Sequence, residues 1–487
     1  MTEVPPLPDE VRATLPPLAA AYVAALEAVV ASVPALIAQI TALQERVAAL
    51  EARVGQTSAN SSQPPSRDPP RARPAPKPAP DQRQPGGQPG HRGVFRVLTP
   101  AAQVTHTVRH VPVACAQCGM ALSVAAGPDD PPDQRHQVVD VLPVSVTVTE
   151  HQLAARTCAR CGRRTRADWP AGVPQGVVGP YLAATLALLT GRYRLSKREA
   201  AACLRDLVGV ELAAGTVSAV EQQVSAALAP VVAEARAAVQ TAAVANIDET
   251  SWRQGRQRAW LWTVVTALVT VFHIDRSRGS GVVRTLRGPD WSGIVGSDRF
   301  SAYRWLGAEG RQVCWAHLKR DFQKLVDWGP GPRSVGVRLL ACHAQVFELW
   351  HRHRAGELDR AELLLAISRA AAEVRAVLEA GAATGHPVAG SLCRELLTVW
   401  PALWTFVLVD GVEPTNNAAE QALRPAVLWR KGSFGTHSPD GSRFVERLLT
   451  VTATCRQQRR RVVDLLVAAL TAAPRGHPHP SLLPAPT

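Results

Sequence analysis

A chain of 487 residues is longer than a single hydrophobic core usually serves, so its length predicts two to four domains. The formal net charge is +14 and the basic excess is mostly arginine, which favours nucleic acid over membranes or acidic proteins as the partner. We find no uninterrupted apolar run of the ~18 residues that cross a membrane and no signal peptide, and we expect a cytoplasmic protein. Nine cysteines, four of them in C-x-x-C pairs, are typical of metal binding in a reducing compartment.

Residues 1–57 form the first predicted element, a helix with a heptad repeat. Its apolar residues alternate spacings of three and four, with leucine at position d and β-branched residues at position a: Leu36, Leu43 and Leu50, and Ile40, Val47 and Val54. This combination favours a parallel two-stranded coiled coil, and hence a homodimer. The alternative is an amphipathic helix that packs on its own chain.

Residues 58–98 are rich in proline and arginine and predict a disordered linker. Residues 99–170 predict a small zinc-binding β module, with β-type stretches at 104–113 and 138–150. Two C-x-x-C-G units supply four thiolates at the spacing of a tetrahedral Zn²⁺ site: Cys115, Cys118, Cys158 and Cys161. Arginines crowd the second unit and are candidate DNA contacts: Arg160, Arg163 and Arg164.

Residues 171–240 predict a helical domain. Ser196 and Glu199 have the spacing of a capping box, which opens a helix to about Leu207. A turn that contains glycine then leads to a second helix from about Thr216. Two helices joined in this way fit either a helix-turn-helix that reads DNA or part of an ordinary bundle, and the sequence does not separate the two.

From residue 241 to residue 333 the pattern changes to short apolar strands. Two of them end in an acid, Asp248 and Asp298, and a residue there is fixed by the strand yet reaches the rim of the sheet. The predicted strands lie at 244–248, 259–266, 268–274, 293–298 and 312–315. Their order fits a mixed sheet of ribonuclease-H type.

The rest of the chain predicts helices. We expect an inserted all-helical domain over 334–411, a second part of the core over 412–472 and a disordered tail over 473–487. Glu420 falls on a predicted helix, which Thr415 or Asn416 caps and Pro425 ends or kinks.

Three acids that converge can hold two divalent ions, which clamp the attacking and leaving oxygens of a phosphodiester. Asp248, Asp298 and Glu420 are one candidate set of this kind. From spacing alone, other acids such as Glu249 could be argued for in the same way.

Five segments together resemble one known family: Asp248–Arg253, Ser297–Tyr303, Cys314–Phe322, Asn416–Glu420 and Gly441–Arg447. With the zipper-like helix and the two cysteine pairs, they make the chain similar to the bacterial DDE transposases of the family named after insertion sequence sixty-six. The resemblance covers nearly the whole chain, in order. It implies a multidomain α+β protein with a coiled-coil helix, a zinc-binding β module, a helical domain and a ribonuclease-H-like core interrupted by an all-helical insertion.

The same resemblance implies Asp248, Asp298 and Glu420 as the catalytic ligands of Mg²⁺ or Mn²⁺. It implies cleavage at terminal inverted repeats and transfer of a 3′-hydroxyl to target DNA in the nucleoid, with small accessory proteins of the same element as possible partners. Further candidate DNA contacts are His317, Arg320, Asn416, Arg424, Arg430 and Lys431. Two alternatives are an inactive DNA-binding regulator derived from such a transposase, and a nuclease of the same core without strand transfer.

Overall fold

The structure is a computed structural model that describes residues 7–54, 98–122, 135–140, 145–170, 172–173 and 176–484. Apart from Leu98, the predicted linker at 58–98 lies outside the described residues. The chain is a multidomain α+β protein with two compact units. The first unit comprises residues 1–77, 229–462 and 481–487, and the second comprises 78–228 and 463–480.

The described N-terminal segment contains α1 (Asp9–Arg12) and the long helix α2 (Pro17–Val54). None of the described side chains of α2 is buried. The apolar side chains of the heptad repeat from Leu36 to Leu50 are 48–60% exposed. The described part of the chain therefore does not cover this stripe.

Helix α2 contains one candidate membrane span among the described residues. Residues Pro17–Val47 are long and apolar enough to cross a membrane, by length and composition only. Glu27 is the single charged residue between Arg12 and Glu45, so the apolar residues on either side of it add up to a span-length segment.

In the second unit, β1 (Ala155–Thr157) and β2 (Arg164–Arg166) form an antiparallel pair around the second cysteine unit. The β-type stretches predicted at 104–113 and 138–150 are wrong, because their described residues form no strand. Their alternating valines stay in solvent; Val108 is 74% exposed and Val148 is 88% exposed. Alternation alone cannot build a strand when no neighbouring strand supplies hydrogen bonds.

Helices follow as predicted: α3 (Pro180–Ala187), a π-helical turn (Leu188–Arg192), α4 (Lys197–Val208) and α5 (Ala214–Val239). The capping box at the start of α4 is confirmed. The Ser196 hydroxyl accepts from the Glu199 N–H, and the Glu199 carboxylate accepts from the Ser196 N–H. Gly209, with φ of 69°, ends the helix in the left-handed conformation that glycine adopts at least cost.

The first unit contains a five-stranded mixed sheet in the order β5-β4-β3-β6-β7. Its first three strands form an antiparallel meander, and the last two pair in parallel, β6 with β3 and β7 with β6. The helix α6 (Ser280–Arg287) connects β5 to β6. The strands are β3 (Val244–Gln254), β4 (Gln257–Val265), β5 (Thr270–Asp275), β6 (Ile294–Ser297) and β7 (Arg311–Val313).

The central strand β3 extends beyond its predicted end. Asp248 lies mid-strand, because residues up to Gln254 continue to pair with β4 across the turn at Gly255. The parallel neighbour β6 pairs only with Val244–Asn246. Asp248 therefore lies where β3 has lost its partner on one side. Gly296 permits this approach, since a Cβ there would lie 2.4 Å from the Asn246 amide oxygen.

After β7 the chain forms α7 (Trp315–Trp328), α8 (Pro330–Arg354), α9 (Arg360–Ala383), α10 (Pro387–Thr398) and α11 (Thr405–Leu408). The predicted insertion is all-helical among its described elements, but its expected start at 334 falls inside α8. Its core also includes Trp315, Leu318 and Phe322 of α7. A Cβ at Gly336 would lie 2.8 Å from the Phe322 carbonyl oxygen, so α7 and α8 pack backbone to backbone.

The C-terminal helices are α12 (Asn417–Ser433), α13 (Pro439–Gln457) and α14 (Val462–Ala472). Pro425 does not end α12, which continues for two further turns to Ser433. On either side of this proline, Leu423 and Ala426 are buried against Trp252 and other side chains of the sheet. This packing holds the helix together despite the lost backbone hydrogen bond.

Helix α13 covers the edge strand β5 with side-chain acceptors. The N–H groups of Thr270, Phe272 and Ile274 donate to residues spaced four apart on α13: Thr454 Oγ1 (3.0 Å), Thr450 Oγ1 (3.0 Å) and the Glu446 carboxylate. Both threonines are fully buried. The edge strand therefore exposes none of these three donors to another chain.

The tail expected over 473–487 is anchored where it is described. Leu482 is fully buried, and its N–H donates to a carboxylate oxygen of Glu234 at 3.0 Å. The Ser481 hydroxyl donates to the other oxygen of Glu234 at 2.7 Å. The expectation of disorder is thus not met up to residue 484.

Candidate active site

Asp248 in β3 and Asp298 directly after β6 lie level with each other at one point of the sheet. Asn246 on β3 and Gly296 on β6 are paired in parallel register. Asp248 and Asp298 each lie two residues beyond this pair. Glu420 joins them from the first turn of α12, which contacts β3. Three distant parts of the sequence therefore contribute an acid to the same part of the first unit.

Electrostatics links these acids. Burial raises the pKa of Asp248 well above its ordinary value, and the neighbouring carboxylates of Glu249, Asp298 and Glu420 raise it further. The Glu249 N–H opposes this shift by donating to the Asp248 carboxylate at 2.9 Å. The structure thus brings Asp248, Asp298 and Glu420 within electrostatic range of one another.

Glu420 also faces α7. Its Oε1 accepts a hydrogen bond from Arg320 at 3.2 Å and lies 3.4 Å from the His317 Nδ1. That His317 contact is not a hydrogen bond, since Nδ1 is buried without a partner. Burial and the positive charge of Arg320 lower the pKa of His317, which favours the neutral imidazole.

Among the described residues, Cys314, His317 and Glu420 form a group whose potential ligand atoms all lie within 4.8 Å of one another. Burial raises the pKa of the Cys314 thiol to about 11, so the thiol stays protonated at neutral pH. Sulfur and nitrogen donors suit transition metals better than Mg²⁺, which prefers oxygen.

Asn416 occupies the N-cap position of α12, one of the two predicted caps, and its role as a DNA contact stays a prediction. Its side chain is fully buried and makes no capping bond. Its amide nitrogen donates to the Ile247 carbonyl at 3.0 Å, and its backbone N–H donates to the Cys314 sulfur at 3.1 Å. Asn416 thus ties the start of α12 to β3 and to the start of α7, four residues before Glu420.

Comparison with known proteins identifies the family. A family model described as "Transposase IS66 family" matches residues 175–443, more than half of the chain. The chain belongs to the IS66 transposase family. A second family model, described as a family of unknown function, matches residues 6–96 of the same chain.

Two similar proteins of Sinorhizobium fredii are both described as uncharacterized. Protein y4qI is 27% identical over 245 residues, which is 45% of the IS66-family chain and 45% of y4qI. Protein y4hP is 25% identical over 388 residues, 71% of the chain and 68% of y4hP. The chain thus spans less than half of y4qI and about two thirds of y4hP.

Glu249 is a fourth acid of this IS66-family site, and the sequence did not predict the partners of its carboxylate. Its carboxylate accepts from the Tyr303 hydroxyl at 2.8 Å and from Arg278 at 2.8–2.9 Å. The Arg278 guanidinium stacks over the Phe300 ring, with 3.7 Å to its centre. Burial and Asp298 raise the pKa of Glu249. Because both oxygens have partners, Glu249 is positioned as a structural neighbour of Asp248.

The remaining predicted DNA contacts differ in their surroundings. Arg424 and Lys431 are exposed on α12. Arg430 donates to the Thr250 hydroxyl at 3.1 Å and to the Ser251 carbonyl at 2.6 Å, so it also joins α12 to β3. In the second unit of this IS66-family chain, Arg160, Arg163 and Arg164 are exposed around the second cysteine pair.

The two cysteine units of the IS66-family chain adopt the same turn. In the first, the Gly119 N–H donates to the Cys115 carbonyl at 2.9 Å; in the second, the Gly162 N–H donates to the Cys158 carbonyl at 2.9 Å. Both glycines have φ near +70°. Backbone N–H groups of the next residues lower the pKa of Cys115 and Cys158. In the described part of the chain, the four sulfurs of Cys115, Cys118, Cys158 and Cys161 do not gather into a common cluster.

Proposed function

We propose that this protein is a DDE-type transposase of an insertion sequence. It binds terminal inverted repeats, cleaves a strand with Mg²⁺ or Mn²⁺ and transfers the 3′-hydroxyl to target DNA. The observation that carries the proposal is the convergence of Asp298, at the end of β6, and Glu420, on α12, on Asp248 of β3 in an IS66-family chain. In this proposal these three acids are the catalytic ligands.

The sheet supports a ribonuclease-H-like core. Three antiparallel strands are followed by two parallel ones, and α6 makes the connection from the meander to the parallel pair. In such an arrangement, acids that follow neighbouring parallel strands meet at one edge of the sheet. Asp298 directly follows β6, and Asp248 lies just beyond the part of β3 that pairs with it.

The donor set fits divalent ions. Asp248 is partly buried and near three other carboxylates, which disfavours its ionised form unless a cation offsets the repulsion. Asp248, Asp298 and Glu420 offer only oxygen, which hard cations such as Mg²⁺ prefer. When bound, a pair of such ions supplies Lewis-acid stabilisation of the attacking and leaving oxygens of a phosphodiester.

The protein's own groups fix the geometry. Strand β3 and the N–H of Glu249 hold the Asp248 carboxylate, and Asn416 fixes the start of the helix that carries Glu420. The neutral imidazole of His317, adjacent to Glu420, is suited to orient a scissile phosphate or a water molecule. Arg320, Arg424 and Lys431 supply positive charge for the DNA backbone.

The other modules receive roles consistent with this activity. We assign residues 99–170 to a zinc-binding domain, since two identical turns favour thiolates at two cysteine pairs. Helices α4 and α5 form a candidate DNA-reading pair within 171–240. The exposed heptad stripe of α2 is suited to a parallel dimer. Accessory proteins of the same element are further proposed partners.

Strand transfer by the purified chain tests the proposal. The substrate carries the inverted repeats that flank the gene, and Mg²⁺ is supplied. We expect nicking and joining by the wild type, and loss of both in Asp248→Asn with DNA binding retained. Asp290→Asn is the matched control, because Asp290 is an exposed acid of the same unit, and it should keep full activity.

The outcomes separate three functions. Binding without cleavage by the wild type contradicts the enzyme and favours the regulator. Cleavage without joining contradicts the transposase and favours the nuclease.

A further inference from the structure

A cavity of about 420 Å³ lies in the first unit between the C-terminal half of α5, the edge strand β5 and α13. Its volume is within the range of small-ligand sites. We call it the α13 cavity. Its charged and polar lining includes Arg236, His273, Ser442, Arg443, Glu446 and Arg447. Four of these belong to the segment Gly441–Arg447, a motif to which the catalytic proposal gives no role.

The positive charge of the α13 cavity exceeds what its single carboxylate neutralises. Glu446 is 7% exposed and already engaged, since it accepts the Ile274 N–H and lies 3.0 Å from the His273 Nδ1. Its other oxygen is 3.8 Å from an Arg236 nitrogen. At the rim, Arg443 pairs with Asp440 at 3.0 Å, and both side chains are more than half exposed.

Arg236, Arg443 and Arg447 line the same cavity, and their charges act on one another. Burial lowers the pKa of Arg447; Glu446 opposes this shift, and the charges of Arg443 and Arg236 add to it. Guanidinium groups that repel each other in a partly enclosed site gain most from a shared anion. The nearby carboxylate of Asp275 lies 3.7 Å from the His273 Nε2 and therefore faces the histidine.

Arg236 has unused hydrogen-bonding capacity. Its Nε is buried and has no partner. Its Nη2 lies 3.3 Å from the His273 Nδ1, but that nitrogen is also 3.0 Å from a Glu446 oxygen. If Nδ1 donates its proton to the carboxylate, it cannot accept from Arg236 as well. The remaining contact of Nη2, to a Glu446 oxygen, is long at 3.8 Å, so this carboxylate leaves the guanidinium incompletely paired.

We propose that the α13 cavity binds a phosphate group of the DNA backbone, at a site separate from the three acids. The planar fork of an arginine matches two phosphate oxygens, and Arg236 and Arg447 supply two forks from different helices. Free inorganic phosphate has the same recognition chemistry as a phosphate of DNA. The choice of DNA as the source therefore rests on the proposed function. The proposed phosphate site gives the segment Gly441–Arg447 a role in holding DNA.

The test uses the full-length protein with Arg236→Gln and Arg447→Gln as separate variants. Arg375→Gln is the matched control, since Arg375 is an exposed arginine of α9 that pairs with Glu379. Affinity for a terminal-repeat duplex is measured by fluorescence anisotropy over a series of salt concentrations. Each variant should bind several-fold more weakly, with a log-log salt slope shallower by about one phosphate contact, and the control should match the wild type.

A second measurement distinguishes the source of the phosphate. Inorganic phosphate should raise the melting temperature of the wild type above that in chloride of equal ionic strength, and should not do so in Arg236→Gln. If phosphate protection is lost but both variants bind DNA as the control does, DNA is not the ligand and the proposal is overturned. Normal DNA binding together with no phosphate effect also overturns it.

These results are separable from a failure of the proposed function. If the catalytic proposal fails, the wild type itself does not cleave or join DNA. If only the present inference fails, the wild type cleaves and joins while Arg236→Gln and Arg447→Gln bind as the control does. Arg236→Lys, which keeps the charge but loses the fork, should recover part of the affinity.

Discussion

Thr450→Val removes one hydroxyl and preserves the shape of a fully buried side chain. In the native structure this hydroxyl accepts the Phe272 N–H at 3.0 Å and donates to the Glu446 carbonyl at 2.7 Å. Phe272 is 1% exposed, so water cannot replace the lost acceptor. The variant leaves a buried backbone donor of the edge strand unpaired.

An unpaired buried donor costs about 1–3 kcal/mol, and the extra methyl group of valine does not satisfy it. Because the first unit is larger than 250 residues, each kcal/mol of this cost lowers the melting temperature by no more than about 2 °C. The loss of stability is measured by urea unfolding followed by tryptophan fluorescence, which reports on this sheet because Trp252 and Trp262 are buried in it. Thr450→Ser, which keeps the hydroxyl, should lose less stability.

The matched control is Thr452→Val on the same helix. The Thr452 hydroxyl donates only to the Leu449 carbonyl of its own helix, so this substitution should change stability by less than about 0.5 kcal/mol. If Thr450→Val is no more destabilising than Thr452→Val, the hydrogen bonds from α13 do not stabilise the edge of the sheet.

Three further predictions concern pH, zinc and assembly. Because the pKa of Asp248 is raised in the folded state, stability without divalent ions should fall as pH rises from about 4 through the folded pKa. In thermal melts, Asp248→Asn should flatten this dependence of stability on pH. An unchanged curve in the variant would contradict the raised pKa of Asp248. The chain should bind one Zn²⁺, measured by metal analysis, and Cys118→Ser should lose it; a metal-free wild type would exclude the zinc site. Full-length protein should sediment as a dimer and Leu43→Lys as a monomer, whereas identical sedimentation would exclude the α2 zipper.

Local patterns of the sequence predicted part of the fold. The capping box at Ser196 and the short strand before Asp298 depend on residues close together in the chain, so their spacing was informative. The length of β3 was not predictable in this way. Its continuation past Asp248 depends on pairing with β4, and polar residues on the edge of a hairpin look like a loop in sequence.

The candidate site shows the same division. Acids at the ends of apolar runs were visible, and the structure brings Asp248, Asp298 and Glu420 near one another. The role of Asn416 was not visible, because its partners, Ile247 and Cys314, are more than 100 residues away. An asparagine before a helix resembles a solvent-facing cap until the tertiary structure buries it.

The shared core of α7 and the inserted helices limits how far this protein can be shortened. Trp315, Leu318 and Phe322 lie on the helix that carries His317 and Arg320, and they are covered by residues of the insertion. A truncated version that joined α7 directly to α12 would expose this apolar face to water and release the helix from its support. A shortened protein that keeps α7 and α12 must therefore retain the insertion, or replace its inner surface with an equally apolar one.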